Sequence, residues 1–356
     1  MSAGGAELGA VVSLASQSPR SARQILGSLP GYAIRIADPD FHKRPSAAAA
    51  PTTGRRRAPA PHLAGPAPAA PDKAYIEGVL KMQRDAGATV LLTPTGPIGE
   101  ADAERTLRKA MRWASATRAT GPAEPLLVSL TLSRAWIADE SMREVLLNEI
   151  VDSSEPNWYL RVRWPASRPA SGQLVDPELL EGYRQLAAVM ADEGKALLLP
   201  QTGLVGWLMG AFGARGFSAG TGRPEQAYTD KIDFRRKGRQ PPPIRRYFEP
   251  GLLHRVLADT HPRIASQPGY AACGCAYCDG LTRGSPITAP KAWNERDSHH
   301  LVAMLARLQG GVPASGRRAH ILQAVTAAEA LAASAGPLRA DDRPLHLAVW
   351  RGLLQP

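Results

Sequence analysis

Cysteine is nearly absent from this 356-residue chain: there are three, all within Cys273-Gly274-Cys275-Ala276-Tyr277-Cys278. So few cysteines exclude a disulfide framework, and the spacing is too cramped for a bridge inside the cluster. No run of about 20 apolar residues occurs, so neither a transmembrane helix nor a membrane partner is expected. The N-terminus lacks the basic-then-apolar plan of a secretory signal. Reduced, clustered thiols and no export signal predict a cytoplasmic protein. A glycine fingerprint for a dinucleotide is also missing after the first predicted strand. That disfavours a doubly wound open sheet, which stays as the alternative fold.

The three cysteines have a chemistry of their own. Thiolates are soft ligands for Zn²⁺, and a structural zinc site needs four ligands in a closed tetrahedron. C-x-C-x2-C supplies three from one tight loop, with Gly274 expected to ease the fold of the backbone round the ion. His299-His300 open an amphipathic segment carrying Leu301, Leu305 and Leu308. In the first turn of a helix, either histidine would face the cysteine loop, and His299 is taken as the fourth ligand. Such a Cys3His set is structural and identifies no reaction.

The net charge of +11 points to a polyanionic partner, most often a nucleic acid. The tract Pro45–Pro71 is built of Ala, Pro, Gly and Arg and offers no packed face, so a disordered loop is expected. A second long connection, Gly220–Pro243, carries Arg235-Arg236-Lys237-Gly238-Arg239. Loops of this length in a compact domain are usually functional or disordered, and Arg235, Arg236 and Arg239 are candidate phosphate-binding residues.

Between these tracts the hydrophobic pattern alternates. Short apolar runs (AVVSLA, YAIRIA, TVLL, LLVSL, WYLRV, ALLL, the start at Gly216, and IRRYF at Ile244–Phe248) are separated by amphipathic segments of helical period. This is the signature of βα units, and a count of eight predicts a (β/α)8 TIM-like barrel with a C-terminal zinc-binding subdomain. The expected boundaries are residues 1–260 for the barrel, with 45–71 as its disordered loop. Residues 261–310 form the zinc module, and 311–356 are helices packing on the barrel.

A barrel interrupted near its C-terminus by C-x-C-x2-C and then a helix beginning at His299-His300-Leu301 resembles the tRNA-guanine transglycosylase family, most specifically over Tyr247–Leu308. The resemblance implies a structural Zn²⁺, a tRNA partner and exchange of guanine for a deazaguanine-type base. It also implies a nucleophilic carboxylate at a late strand and a second aspartate as general acid/base. Ser218 occupies the place of the nucleophile, and Glu225, Asp230 and Asp233 in the loop beyond are possible substitutes. The second motif falls on Asp38-Pro39-Asp40-Phe41, after YAIRIA, so Asp38 and Asp40 are the candidate catalytic residues; a strand-end turn is the simpler reading of that sequence. Asp139, before Glu140, is either a base-reading residue or a helix N-cap. His42, His254 and His261 stand alone, and ordinary hydrogen-bonded roles suffice for them. Three functions follow: a transglycosylase-like enzyme, a non-catalytic nucleic-acid-binding or partner subunit of a homo- or heterodimer, and an unrelated barrel hydrolase with a zinc knuckle.

Overall fold

The computed structural model describes residues 8–43, 62, 68–165, 173–220, 226–229, 244–282 and 287–355. Its first part alternates strand and helix: β1 (Gly9–Ser13), α1 (Pro19–Gly27), β2 (Ile34–Asp38), α2 (Lys73–Asp85), β3 (Leu91–Leu92) and α3 (Ala103–Ala119). There follow β4 (Leu126–Leu132), α4 (Ala135–Ala138), α5 (Glu140–Asp152), β5 (Asn157–Val162), α6 (Pro177–Asp192), β6 (Ala196–Leu199), α7 (Gly203–Met209) and β7 (Gly216–Phe217). Helix starts are fixed by local chemistry. The side chains of Ser18, Asp72, Asp139 and Asp176 each accept a backbone N–H from the first turn of α1, α2, α5 and α6. In α6, Gly182 lets α4 come close, since a Cβ there would stand 2.0 Å from the Ile137 carbonyl oxygen.

All strand pairs in this part are parallel. β1 pairs with β2, and β3 through β7 pair in chain order in one five-stranded sheet. A parallel bridge between Ile36 and Val90 joins the two groups. Each strand thus lies beside its chain neighbour, with a helix in the crossover, as parallel pairing requires. Among the described residues no strand pairs β7 with β1.

Side-chain alternation gives the sheet two different faces. Val128, Leu130, Leu132, Trp158, Leu160 and Val162 enter the large core under the helices. Their neighbours Leu127 and Tyr159 join Ile36 and Leu92 in a cluster on the opposite face. Towards the strand ends that opposite face turns polar, with Ser129, Thr131 and Arg161 buried. Tyr159 and Arg161 on β5 both bond Asp38 at the end of β2. Three strand spacings separate β2 from β5, about 14 Å in a flat sheet, so the sheet is curved and concave on this side.

The run Ile244–Phe248 is not a further strand of that sheet. β8 (Arg246–Glu249) pairs antiparallel with β9 (His254–Leu257) across a short turn. The other edge of β8 is covered by the helix that carries the histidines: Asn294 Oδ1 accepts Arg246 N–H at 3.2 Å and Asp297 Oδ1 accepts Phe248 N–H at 2.6 Å. Both edges are filled, so β8 has none left for a parallel neighbour. The hairpin is therefore tied to α10 and not to the parallel sheet.

After α8 (His261–Ala265) and α9 (Asp279–Thr282) come α10 (Pro290–Gln309), α11 (Arg317–Ser334) and α12 (His346–Leu354). Tyr247, Cys275, Cys278, Leu281 and Trp293 make a small core of their own. Ile321, Val325, Trp350 and Leu354 instead join the main core beside Trp207 and Leu301, so α11 and α12 pack on the helices around the sheet. The expected disordered tract lies outside the described residues except for His62 and 68–71. The His62 ring meets Phe41 edge-on, with Nε2 2.7 Å from the Pro39 carbonyl oxygen.

Candidate metal centre and buried aspartate cluster

The cysteine loop folds against the middle of α10. Arg296 fastens it there, its guanidinium donating to the carbonyl oxygens of Tyr277 (2.8 Å) and Ala276 (3.0 Å). Ligand atoms of Cys273, Cys275, Cys278 and His300 all lie within 4.8 Å of one another. Cys275 Sγ is 3.3 Å from Cys278 Sγ and 3.1 Å from His300 Nδ1. His300, not His299, is thus the imidazole of the cluster. The helix starts at Pro290, which puts both histidines in its third turn rather than its first, and only His300 faces inward. His299 is exposed and stacks on Tyr277 at 5.6 Å. Gly274 is not at a positive φ, and a Cβ there would meet nothing, so the loop makes no demand for glycine at that position.

The surroundings prepare His300 as a ligand. Its Nε2 lies 3.0 Å from the Phe248 carbonyl oxygen, which accepts its N–H and leaves Nδ1 bare towards the thiols. Tyr247 stacks on the ring at 5.1 Å. Burial, chiefly, lowers the His300 pKa to about 4, so the ring is neutral at pH 7. The thiols crowd each other: burial and the neighbouring sulfurs push Cys278 up to about 12. Burial likewise raises Cys273, while at Cys275 it is outweighed by backbone N–H groups and the pKa falls. A bound dication relieves such crowding by drawing the protons off. Three thiols and one imidazole are close enough to hold a metal ion, and the donor set is compatible with zinc.

The second cluster stands at the C-terminal ends of the parallel strands, on the concave face. Asp38 and Asp40, both 3% exposed, lie at the end of β2 and in the turn beyond. Asp38 Oδ1 accepts the Asp40 N–H at 2.8 Å; its Oδ2 accepts the Tyr159 hydroxyl at 2.9 Å and bonds Arg161 Nη2. Asp40 Oδ2 bonds the Ser13 hydroxyl at the end of β1 and Lys43 Nζ at 2.9 Å. Arg161 is the hub. Its Nε donates to Gln201 Oε1 at 2.6 Å and its Nη1 to His42 Nδ1 at 3.1 Å, while Nη2 lies 3.8 Å from Asp40 Oδ1. Residues from β1, β2 and β5 and from the turns after β2 and β6 thus converge on one point. Asp40 and Gln201 both hold φ near 54°, the left-handed region that non-glycine residues seldom occupy. Such backbone strain gathers at functional sites.

The two carboxyls differ in charge preference. At Asp38, burial favours the neutral acid, but Arg161 outweighs it and holds the pKa below the usual range. At Asp40, burial and the Asp38 charge raise the pKa, against the pull of Lys43 and Arg161. Burial and the Arg161 charge lower His42 to about 3, so its imidazole is neutral. One aspartate is kept ionised and the other pushed toward its acid form, the division of labour that acid–base pairs need.

The remaining candidates separate. Asp139 is exposed and caps α5, accepting Met142 N–H at 3.0 Å; it takes no part in the Asp38–Asp40 cluster. Ser218, at the place expected for a nucleophile, accepts Gln201 N–H at 2.9 Å, and its carbonyl takes the N–H of Thr202 and Gly203. It thereby braces the Gln201 turn. Arg235, Arg236 and Arg239 lie outside the described residues, as do Glu225, Asp230 and Asp233. Sequence reasoning does not reach Arg161, Tyr159 and His42 as site residues. A signal for Arg161 is nonetheless present: a charge inside the apolar strand W-Y-L-R-V is buried only when paired. No family model and no curated protein matches the chain.

Proposed function

We propose that the chain is a transglycosylase-like protein whose curved parallel sheet is built on the TIM-like barrel plan, exchanging a base in a nucleic acid, with tRNA as the first substrate to try. The observation that carries this is the buried Asp38–Asp40 pair, split in charge preference at the C-terminal strand ends, where barrel enzymes hold their active sites. The Cys3His cluster fits the structural Zn²⁺ of such a protein, bound by Cys273, Cys275, Cys278 and His300. Zinc there would fasten the cysteine loop to α10 and would take no part in the reaction.

In this reading an Asp38 carboxylate oxygen bonds the ribose C1′ as the bond from C1′ to the guanine nitrogen breaks. Guanine leaves with the bonding pair and takes a proton from Asp40. A deazaguanine-type base then gives its proton to Asp40, its nitrogen attacks C1′, and the link to Asp38 breaks with its electrons returning to the carboxylate. Arg161 and Tyr159 keep Asp38 ionised and oriented between turnovers.

Incubation of the purified protein with labelled guanine and either bulk tRNA or duplex DNA tests the reading. Incorporation that disappears in Asp38→Asn and Asp40→Asn supports it. The second reading, a non-catalytic nucleic-acid-binding subunit, is favoured by one observation: at β7 Ser218 holds a turn where a nucleophilic carboxylate was expected. Binding of nucleic acid without incorporation would select that reading.

A further inference from the structure

His42 lies two residues past Asp40, and its side chain is only 4% exposed. Its contacts are specific. Nδ1 takes a hydrogen bond from Arg161 Nη1 at 3.1 Å, and the ring meets Tyr228 edge-on at 5.0 Å. Arg161 has no acceptor, so in that bond Nδ1 must carry the lone pair and Nε2 the hydrogen. The guanidinium of Arg161 is held in place by Gln201 and Asp38, which makes the tautomer a fixed property of the fold. Nε2–H has no hydrogen-bond partner among the described residues, and Nε2 is not among their fully enclosed unpartnered atoms. A neutral donor fixed from behind, with its hydrogen unclaimed among the described residues, sits beside a carboxyl pair. An imidazole so placed donates to an uncharged acceptor, such as a carbonyl oxygen or ring nitrogen, and cannot supply a proton by ionising.

We infer that His42 is a substrate-binding residue, donating its Nε2–H to an acceptor atom on the edge of the base held beside Asp38 and Asp40. The inference rests on the base-exchange reading and deepens it. Burial and the Arg161 charge keep the ring neutral through the physiological range, so His42 meets the base as an uncharged donor.

The test uses the full-length, metal-loaded protein with free guanine as probe. In ¹⁵N-histidine spectra, His42 should show the Nε2–H tautomer and no titration between pH 5 and 8, and guanine should shift its Nε2 resonance. A His42 that titrates near 6.5, or that carries its proton on Nδ1, overturns the inference. Calorimetry then compares variants. His42→Phe keeps the ring contact with Tyr228 and should weaken guanine binding roughly 5- to 100-fold, the range for leaving one buried polar group unpaired. His42→Gln, which can place an amide N–H near the position of Nε2, should recover most of the loss. Equal affinity in wild type and His42→Phe overturns this inference and leaves base exchange standing. Absence of guanine binding in wild type removes base exchange and this inference together.

Discussion

Arg161 on β5 and Asp38 at the end of β2 are three strands apart in the sheet, yet their side chains form a buried ion pair, each about 95% or more enclosed. The pair depends on the curvature of the sheet and helps to fix it. It also decides which of two neighbouring aspartates keeps its charge.

Breaking that pair should be costly. Asp38→Asn leaves Arg161 buried without its main counter-charge, a change that typically destabilises by about 3–5 kcal/mol. Asp40→Asn should behave oppositely. The folded-state pKa of Asp40 is raised, so its ionised form costs stability above that pKa, and the amide removes the cost. Asp38 is depressed, so its contribution is present above its ordinary pKa of 3.8 and is lost as pH falls through the folded value. Thermal melts at pH 7 should therefore place Asp40→Asn at or above wild type and Asp38→Asn well below. The reverse order would refute the charge assignment.

One zinc ion should bind per chain, with Zn–S about 2.3 Å and Zn–N about 2.0–2.1 Å by X-ray absorption. His300→Ala and Cys275→Ser should lose the metal and loosen the cysteine loop from α10, while His299→Ala keeps a full complement. Elemental analysis of the three variants checks this. Metal lost from His299→Ala but kept in His300→Ala would reverse the ligand assignment.

Two histidines outside both sites should make the protein acid-sensitive. His254 on β9 and His346 on α12 are each 1% exposed, with ring centroids 5.5 Å apart. Burial lowers His254 to about 4 and holds His346 well below the usual histidine value, so the unfolded chain takes up protons first as pH falls below 6.5. The Asp342 charge opposes the shift of His254 and the Arg246 charge adds to it, and the direction is unchanged. Stability is present above pH 6.5 and falls towards pH 4, by up to ~1.4 kcal/mol per pH unit for each histidine. His346→Phe keeps an aromatic ring against Trp350 and should flatten the slope of stability against pH. An unchanged slope would show that the pair does not titrate on unfolding.

Nucleic-acid binding should depend on salt. If Arg235, Arg236 and Arg239 touch phosphates, the triple alanine variant weakens binding to unrelated sequences alike. Its log-affinity against log-salt slope should then fall by roughly 0.7–0.9 for each phosphate that is no longer neutralised. Titration of wild type and variant on one tRNA measures both quantities; identical slopes would leave this loop without a role in binding.

The sequence by itself determined the βα alternation, the helix caps and the identity of the three clustered thiols. Those features are local: period-two and helical hydrophobic patterns, a carboxylate ahead of a helix, three cysteines within one loop. It also put Asp38 and Asp40 at a strand end, because Asp-Pro-Asp directly follows an apolar run. Only the tertiary structure decided between His299 and His300, since the start of α10 at Pro290 sets which face each residue occupies. The fate of Ile244–Phe248 was likewise not local. An apolar run with strand propensity does not say which edge it will pair with, and here β9 and α10 take both. The partnership of Arg161 with Asp38 spans 123 positions and exists because strands distant in sequence are curled towards a common point. No spacing rule within one strand encodes such a pairing, whose geometry belongs to the curvature of the whole sheet.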